Sequence, residues 1–399
     1  MRRGQAPSVP LPDVTIVAHD IGSVRGMERQ LSALIVGLER LGHKITVVAR
    51  ACELPAGTQV VFHRVRGPRR PFVIAYPWFM LAGSLAVRRW RCGIVQATGA
   101  IVLNRVDVIA VHYCHQVATP TPSRATLAFR VQVKLAGGLK RVGERVCFRI
   151  GRNATFVCVS EGLSQEIREH YPALADRVLT IHNGIDTDRF APGLRRPEAE
   201  AMRSALAIGE ERLVAVFVAS EWDRKGLAAV IRALALARDW DLVVAGGGDE
   251  VRYRALADTL GVGKSIRWLG VTRDVQLVYE MADAFVLPTS YESFSLVSFE
   301  AAASGLPVLA TPVNGVRELL VDGENGFLIA REPSLIAKRL GELAADPALR
   351  RRLGQAARRT ALAFDTDKMV VQHHELYSRL AEAGRDEPVF ADRSAQAAT

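Results

Sequence analysis

The chain has 399 residues, 49% apolar and 24% charged, enough for two or three domains with their own cores and too apolar for disorder over most of its length. Five cysteines, an odd number with no Cys-x-x-Cys pair, exclude a disulfide framework and a zinc ribbon and read as small buried thiols of a reduced, cytoplasmic chain. The net charge of +10 is uneven: residues 1–190 hold 26 Lys and Arg against 13 Asp and Glu, and residues 191–399 hold 26 against 29, so the two halves are expected to meet different partners.

Arg2 and Arg3 precede polar, Pro-rich residues, and the first apolar run, Val14 to Ala18, is too short for a secretory leader, so none is expected. That run predicts a strand, broken by Gly22 and Gly26. Met27, Leu31, Leu34, Ile35, Leu38 and Leu41 then recur at helical spacing up to Gly42, and Ile45 to Ala49 supplies the next strand. The stretch from Pro71 to Val87 is apolar but holds Pro77 and Gly83 and falls short of the roughly 20 residues a membrane span needs, so it predicts a buried or interfacial helix. Around it, residues 51–152 carry 16 basic and 3 acidic side chains, with arginines recurring from Arg124 to Arg152 beside Phe129 and Phe148. That balance suits an anionic membrane surface or an anionic acceptor; no nucleic-acid reading module is present, so nucleic acid is not an expected partner.

Val108 to Val111 is a further strand, with His112 and His115 just beyond its end. Regularity lapses between Asn183 and Pro197, which marks a domain junction. Beyond it, apolar runs at 213–219, 242–245, 266–269, 284–287 and 306–310 alternate with helical patterns at 227–238, 250–260, 274–282, 296–303 and 334–344, the signature of a parallel sheet covered on both faces. Asp367 to Ala383 reads as one amphipathic helix and the residues from about 386 onward as a disordered tail. Asp186-Thr-Asp188 and Asp365-Thr-Asp367 imitate a metal-binding pair, but the first belongs to the junction and the second to a late loop; no metal is assigned to them. His373 and His374 point to different sides of a helix and make a poor metal pair.

The most informative block runs from Leu287 to Leu309. A strand ends at Pro288, a polar loop Thr289-Ser290-Tyr291-Glu292-Ser293 follows, and a helix from Phe294 to Ala303 leads to Ser304-Gly305-Leu306-Pro307. Glu292 and Glu300 would lie about 12 Å apart along a continuous helix, whereas the carboxylates of a retaining glycosidase flank one bond at about 5 Å. They therefore suit different parts of one long ligand, and the amides opening the helix from Ser293 to Leu296 suit an anion such as a diphosphate. Taken alone, Glu292 reads as a helix cap and Glu300 as a solvated side chain.

Tyr291-Glu292-Ser-Phe-Ser-Leu-Val-Ser-Phe-Glu300-Ala-Ala-Ala-Ser-Gly305-Leu-Pro307-Val resembles the Glu-x7-Glu signature of glycosyltransferase family 4, the retaining enzymes of GT-B fold. His182-Asn183-Gly184-Ile185-Asp186 through Phe190-Ala-Pro192 is similar to the family's inter-domain segment. Arg224-Lys225-Gly226, Ala245 to Asp249, Asn314-Gly315 to Glu318 and Asp322 to Leu328 follow in family order, and Gly26-Met27-Glu28 with Leu41-Gly42-His43 resembles its first loop and helix. Ser220 ahead of Arg-Lys-Gly is shared in kind with lipopolysaccharide-core glucosyltransferases. Two positions depart from the family: Ala219-Ser220-Glu221-Trp222 replaces a Gly-Arg pair, and Ser295 stands where Gly is usual.

The resemblance implies an α/β chain of two doubly wound Rossmann-like domains facing across a cleft. An acceptor-binding domain would span residues 1–185 and a nucleotide-sugar-binding domain residues 186–365, with a helix over 366–385 crossing back to the first domain and a tail over 386–399. It implies that Glu300 holds ribose hydroxyls, Glu292 hydroxyls of the transferred sugar, and Lys225 with Arg224 the diphosphate. Gly26 would let the first loop approach phosphate, Ser293, Phe294, Ser295 and Leu296 would meet it through their backbone, and the loop Gly270-Val271-Thr272-Arg273 would line the base. His112, with His115 as its rival, would stand near the reacting sugar. The implied reaction moves a hexose from a nucleotide diphosphate sugar, a UDP-sugar first and GDP-mannose second, to a hydroxyl of a glycolipid or cell-envelope glycan, without metal or cofactor, in the cytoplasm or on the inner face of the membrane. A dinucleotide-dependent oxidoreductase lacks its Gly-x-Gly-x-x-Gly here. A GT-B epimerase and an inactive sugar-nucleotide-binding module are the remaining alternatives.

Overall fold

The computed structural model describes residues 11–22, 26–117 and 127–383. The predicted tail over 386–399 lies outside the described residues. The chain folds into two compact units. Of the described residues, unit 1 takes those up to Val159, Leu163–Ile181 and those from Asp367 on; unit 2 takes Ser160–Gly162 and His182–Thr366.

Unit 1 is built on a seven-stranded parallel sheet of β1 (Val14–Val17), β2 (Ile45–Ala49), β3 (Val60–Arg64), β4 (Ile94–Thr98), β5 (Val108–Val111), β6 (Thr155–Cys158) and β7 (Val178–Thr180), in the order β3-β2-β1-β4-β5-β6-β7. The central strands are short apolar runs buried along their whole length, as parallel strands covered on both faces must be. Val14 pairs with Ile45 on one side and Ile94 on the other. Helix α1 (Gly26–Arg40) packs its apolar stripe against this sheet and stops at Gly42, whose φ of 98° is a left-handed terminus. Two more long helices belong to the unit, α2 (Phe72–Trp90) and α3 (Leu127–Ile150). No helix of the described residues is long and apolar enough to cross a membrane.

Unit 2 repeats the plan with β8 (Leu213–Val218), β9 (Trp240–Ala245), β10 (Ile266–Gly270), β11 (Ala284–Leu287), β12 (Val308–Ala310) and β13 (Gly326–Leu328), in the order β10-β9-β8-β11-β12-β13. Its site-bearing helices are the single turn α4 (Trp222–Lys225) and α5 (Leu296–Ala303). The last helix, α6 (Thr366–Ala383), returns to unit 1, where Met369, Val370, Leu376 and Tyr377 join the cluster formed by Val14, Ile16, Leu34, Ile35 and Val47.

Three expectations are corrected. The main stretch of unit 2 begins at His182 rather than after Ile185, because the Ile185 amide donates to Phe364 and its carbonyl accepts from Thr366, both inside unit 2. Helix α5 begins at Leu296, not Phe294, because Ser295 is left-handed. The cysteines are not all buried: Cys114, Cys147 and Cys158 are, but Cys52 is half-buried, and Cys92, just beyond α2, is exposed.

Candidate active site

In unit 2 the strand order reverses between β8 and β11, and in an open parallel sheet the crevice outside the carboxyl ends at such a point is where ligands bind. The loops leaving those two strands carry the central residues. Lys225 Nζ lies 2.5 Å from Glu292 Oε1, and the Arg224 guanidinium reaches the same oxygen at 3.4 Å. The Thr289 hydroxyl donates to that oxygen at 2.9 Å, and Arg224 also donates to the Tyr291 carbonyl. Glu292 is only 8% exposed, so it is neither a simple cap nor a solvated group. Arg224's other carboxylate partner, Glu221, is exposed and screened. An anion arriving beside Lys225 and Arg224 thus meets two cations that share one buried carboxylate. Burial pulls the Lys225 ammonium below its ordinary pKa while Glu292 holds it up.

The backbone fixes this geometry. Gly226 has a φ of 86°, and a Cβ there would stand 2.2 Å from the carbonyl oxygen of Pro288, so only glycine lets the Lys225 turn close onto the end of β11. The Ser290 amide donates to the Arg224 carbonyl at 3.0 Å and ties the two loops together. Ser295 has φ 74° and ψ 60°, a pose glycine adopts without cost, and its hydroxyl pairs with that of Ser298 at 2.8 Å. Ser160 donates to the Ser293 carbonyl at 2.6 Å. The ring of Phe294 stacks on Phe299 at 4.1 Å inside the core, which leaves only its backbone for a ligand; Leu296 is half-buried at the helix start. Glu300 is 2% exposed and accepts from the Tyr279 hydroxyl at 3.2 Å, so the solvated reading fails for it too. Val271, in the loop after β10, is largely exposed.

Gly26, His112 and His115 belong to unit 1. Gly26 is the first residue of α1. Unit 1 has its own reversal between β1 and β4, and buried polar atoms without a hydrogen-bond partner gather by the strand ends there. Among the described residues these are His19 Nδ1 after β1, Thr98 Oγ1 and Asn104 Oδ1 at and after the end of β4, and His112 Nε2 after β5, with Gln96 Nε2 within β4. Burial pushes His112 and His115 down to about 4, so both rings are neutral at neutral pH. The His115 amide donates to Glu144 and its ring leans on Tyr113, while His112 keeps the unpartnered nitrogen. Beyond β2 and β3 lies a cavity of about 320 Å³ lined by Arg50, Arg64, Val65, Arg66, Gly67 and Arg69. Arg50 is paired with Asp20 at 2.5 Å, but among the described residues no carboxylate lines the cavity itself. Asp186 and Asp365 serve locally, capping the Arg189 amide and accepting from Thr187.

The profile of glycosyltransferase family 4 matches residues 24–189, and that of the glycosyl transferases group 1 matches residues 198–360. The D-inositol 3-phosphate glycosyltransferase of Streptomyces avermitilis is 31% identical over 398 residues, covering 95% of this chain and 77% of its own. The chain belongs to glycosyltransferase family 4. The solved structure of WaaG, a glycosyltransferase involved in lipopolysaccharide biosynthesis, superposes with a TM-score of 0.75 at 20% identity, covering 92% of this chain and 99% of that one. Anabaena HepE in complex with UDP-glucose gives 0.71 at 18%, with the same coverage. At such identities the likeness is one of fold, and the fold is GT-B.

Within this family 4 glycosyltransferase, Ser295 stands in a left-handed pose that glycine adopts without strain, so the position suits the glycine that is usual there. In the Ala219–Trp222 departure, the Trp222 indole donates to the Ala219 carbonyl at 2.9 Å and the loop is closed by packing. Sequence reasoning did not find Thr289, the four cavity arginines or the unpartnered His19, Thr98 and Asn104. The arginines had a signal, the density of bases over residues 51–152, but nothing in it singled out four positions. The others had none.

Proposed function

We propose that this family 4 enzyme is a retaining hexosyltransferase that takes its sugar from a UDP-sugar, with GDP-mannose the second choice, and gives it to a hydroxyl of a phosphate-bearing glycolipid or cell-envelope acceptor. The observation that carries the donor site is the Lys225–Arg224–Glu292 cluster at the switch point of unit 2. In this reading Lys225 and Arg224 stabilise the departing diphosphate, joined by the backbone from Ser293 to Leu296. Glu292 holds hydroxyls of the sugar, Glu300 the ribose, and the loop from Gly270 to Arg273 the base. Gly26 brings the first loop to the phosphate, and His112 rather than His115 serves the reacting sugar, because its Nε2 is the nitrogen still lacking a partner.

The bond from the anomeric carbon to the diphosphate breaks and the bond to the acceptor oxygen forms on the same face. The acceptor proton passes to the leaving diphosphate, so catalysis rests on positioning and charge stabilisation. HepE is solved with UDP-glucose, and the Streptomyces relative is named for D-inositol 3-phosphate. An anionic acceptor also suits the arginine cavity of unit 1, which among the described residues is lined by four arginines and no carboxylate. The same basic unit favours a cytoplasmic enzyme held peripherally on the inner face of the membrane.

The test is thermal shift of the purified chain against UDP, GDP, ADP and NAD, with and without their sugar forms. A nucleotide at 100 times its Kd adds about 2.7 kcal/mol to stability. Stabilisation by UDP that Glu300→Ala abolishes supports the reading, and stabilisation by NAD alone overturns it.

A further inference from the structure

Helix α2 is apolar on both of its sides, the one buried and the other exposed. Phe79, Gly83 and Val87 are buried in unit 1, so the helix is anchored along its length. Ile74, Trp78, Leu81 and Leu85 fall at helical spacing on the other side and are between 50% and 68% exposed. A soluble helix ordinarily carries polar residues there. The stripe is also held in place: the Trp78 indole donates to the Arg66 carbonyl at 3.0 Å and its ring lies close against Gly67. Exposed Arg88 and Arg89 follow the stripe, and the Arg89 guanidinium sits 4.9 Å from the ring of exposed Trp90.

The neighbouring helix repeats the pattern. α3 touches α2 through Lys140, whose ammonium lies 5.0 Å from the Phe72 ring, and through Gly143 beside Tyr76. It exposes Val131, Leu135, Val142 and Val146, again at helical spacing. Lys134, Arg145 and Arg149 are exposed among them. Helix α2 contains no Asp or Glu at all, and the one acid in α3, Glu144, is 1% exposed and hydrogen-bonded to Tyr171. These two helices therefore offer water no acidic side chain, and apart from Gln132 their exposed residues are apolar or cationic.

We infer that the outer side of α2, with α3 beside it, is the surface by which the protein lies on an anionic lipid bilayer, its apolar stripe entering the acyl boundary and its cations meeting the headgroups. The charge complementarity decides the occupant. A second copy would set arginines against arginines, and a protein partner of ordinary composition would find no acid to pair with its own cations. No helix of the described residues can span, so the mode is one of lying on the surface. The inference deepens the peripheral-membrane part of the proposed function, and it does not depend on which donor is used.

The test is co-sedimentation of the full chain with vesicles of phosphatidylcholine alone and of equal parts phosphatidylcholine and phosphatidylglycerol. Leu81→Glu/Leu85→Glu and Arg88→Glu/Arg89→Glu are compared with Val251→Glu, at an exposed residue of unit 2. The wild-type chain and Val251→Glu are expected to pellet only with the anionic vesicles, and less as salt rises. Both double variants are expected to lose at least about tenfold in partition coefficient. Trp78 emission should shift to the blue on binding, and Trp78→Phe should remove that shift. Unchanged melting temperatures, and an unchanged shift with UDP, show that the variants fold and that the donor site is intact. Equal pelleting of the double variants, binding that ignores phosphatidylglycerol, or conversion of a dimer to a monomer by Leu81→Glu/Leu85→Glu overturns the bilayer assignment. Loss of the UDP response in the wild-type chain counts against the donor reading and leaves this one standing.

Discussion

Lys225 and Glu292, 67 residues apart in the chain, meet at 2.5 Å where two loops leave adjacent strands of unit 2. The contact ties the cation proposed for the diphosphate to the carboxylate proposed for the sugar, so neither can be altered without removing a charged partner of the other. Lys225→Ala is expected to lower kcat by ~100-fold or more if it stabilises charge developing on the leaving group. A near-normal kcat in steady-state assays would sink that assignment.

Glu292→Gln removes the buried counter-charge of both Lys225 and Arg224. UDP, which brings its own negative charge, is expected to bind at least about fivefold more tightly to this variant while turnover of the sugar donor falls. Isothermal titration alongside a turnover assay separates the two. Weaker UDP binding would show that Glu292 contributes to nucleotide affinity rather than opposing it.

Gly226→Ala is expected to cost more than about 2 kcal/mol and to lower kcat, since its Cβ would press on the Pro288 carbonyl and push the Lys225 turn off β11. Ser295→Gly goes the other way: it relieves a left-handed non-glycine residue and should hold or raise the melting temperature, whereas Ser295→Val should lower it by at least several degrees. Calorimetry on the three variants checks the signs.

Four histidines, His19, His112, His115 and His373, are pushed down to about 4, burial being the main cause in each. Their folded pKa values lie below those of the unfolded chain, so their neutral forms are fully compatible with the fold above pH 6.5. As pH falls toward 4 the unfolded chain takes up protons that the folded chain refuses, and stability is lost at up to about 1.4 kcal/mol per pH unit for each. All four lie in unit 1, while the one histidine of unit 2, His182, is paired with Glu318. Acid unfolding is therefore expected to be seen first by Trp78 and Trp90 and later by Trp222 and Trp240. Simultaneous transitions of the two sets, followed in single-tryptophan variants, would count against it.

Arg66→Ala/Arg69→Ala opens the arginine cavity without touching unit 2. The acceptor KM should rise about tenfold or more, with UDP affinity unchanged. A change in UDP affinity alone would remove the cavity from the acceptor site.

Much of unit 2 was legible because its strands are largely apolar: 284–287 matches β11 at both ends, and 213–219 overshoots β8 by one residue. Helix α6 was legible from its single apolar stripe. Helix Pro347–Ala361 was not, since its many arginines hide the buried positions Leu353, Ala357 and Ala361. Strand β4 was missed because polar Gln96 and Thr98 interrupt it; the fold tolerates Gln96 by pairing its carbonyl with the hydroxyl of Tyr377. Glu292 and Lys225 were each legible as motif residues, but their contact was not. It depends on strand order and on the closeness that Gly226 permits, neither of which leaves a local pattern.

The return of α6 to the core of unit 1 bears on how the chain is made. Synthesis completes unit 2 once Thr366 has left the ribosome, and Ile185 and Thr366 can join the ends of that unit to each other at once. Unit 1, begun first, must wait for Met369, Val370, Leu376 and Tyr377 to fill the space beside α1, where Val370 reaches into the gap over Gly37. The half of the chain translated first is thus the last to close, and until it does its unfinished core is what a chaperone would meet.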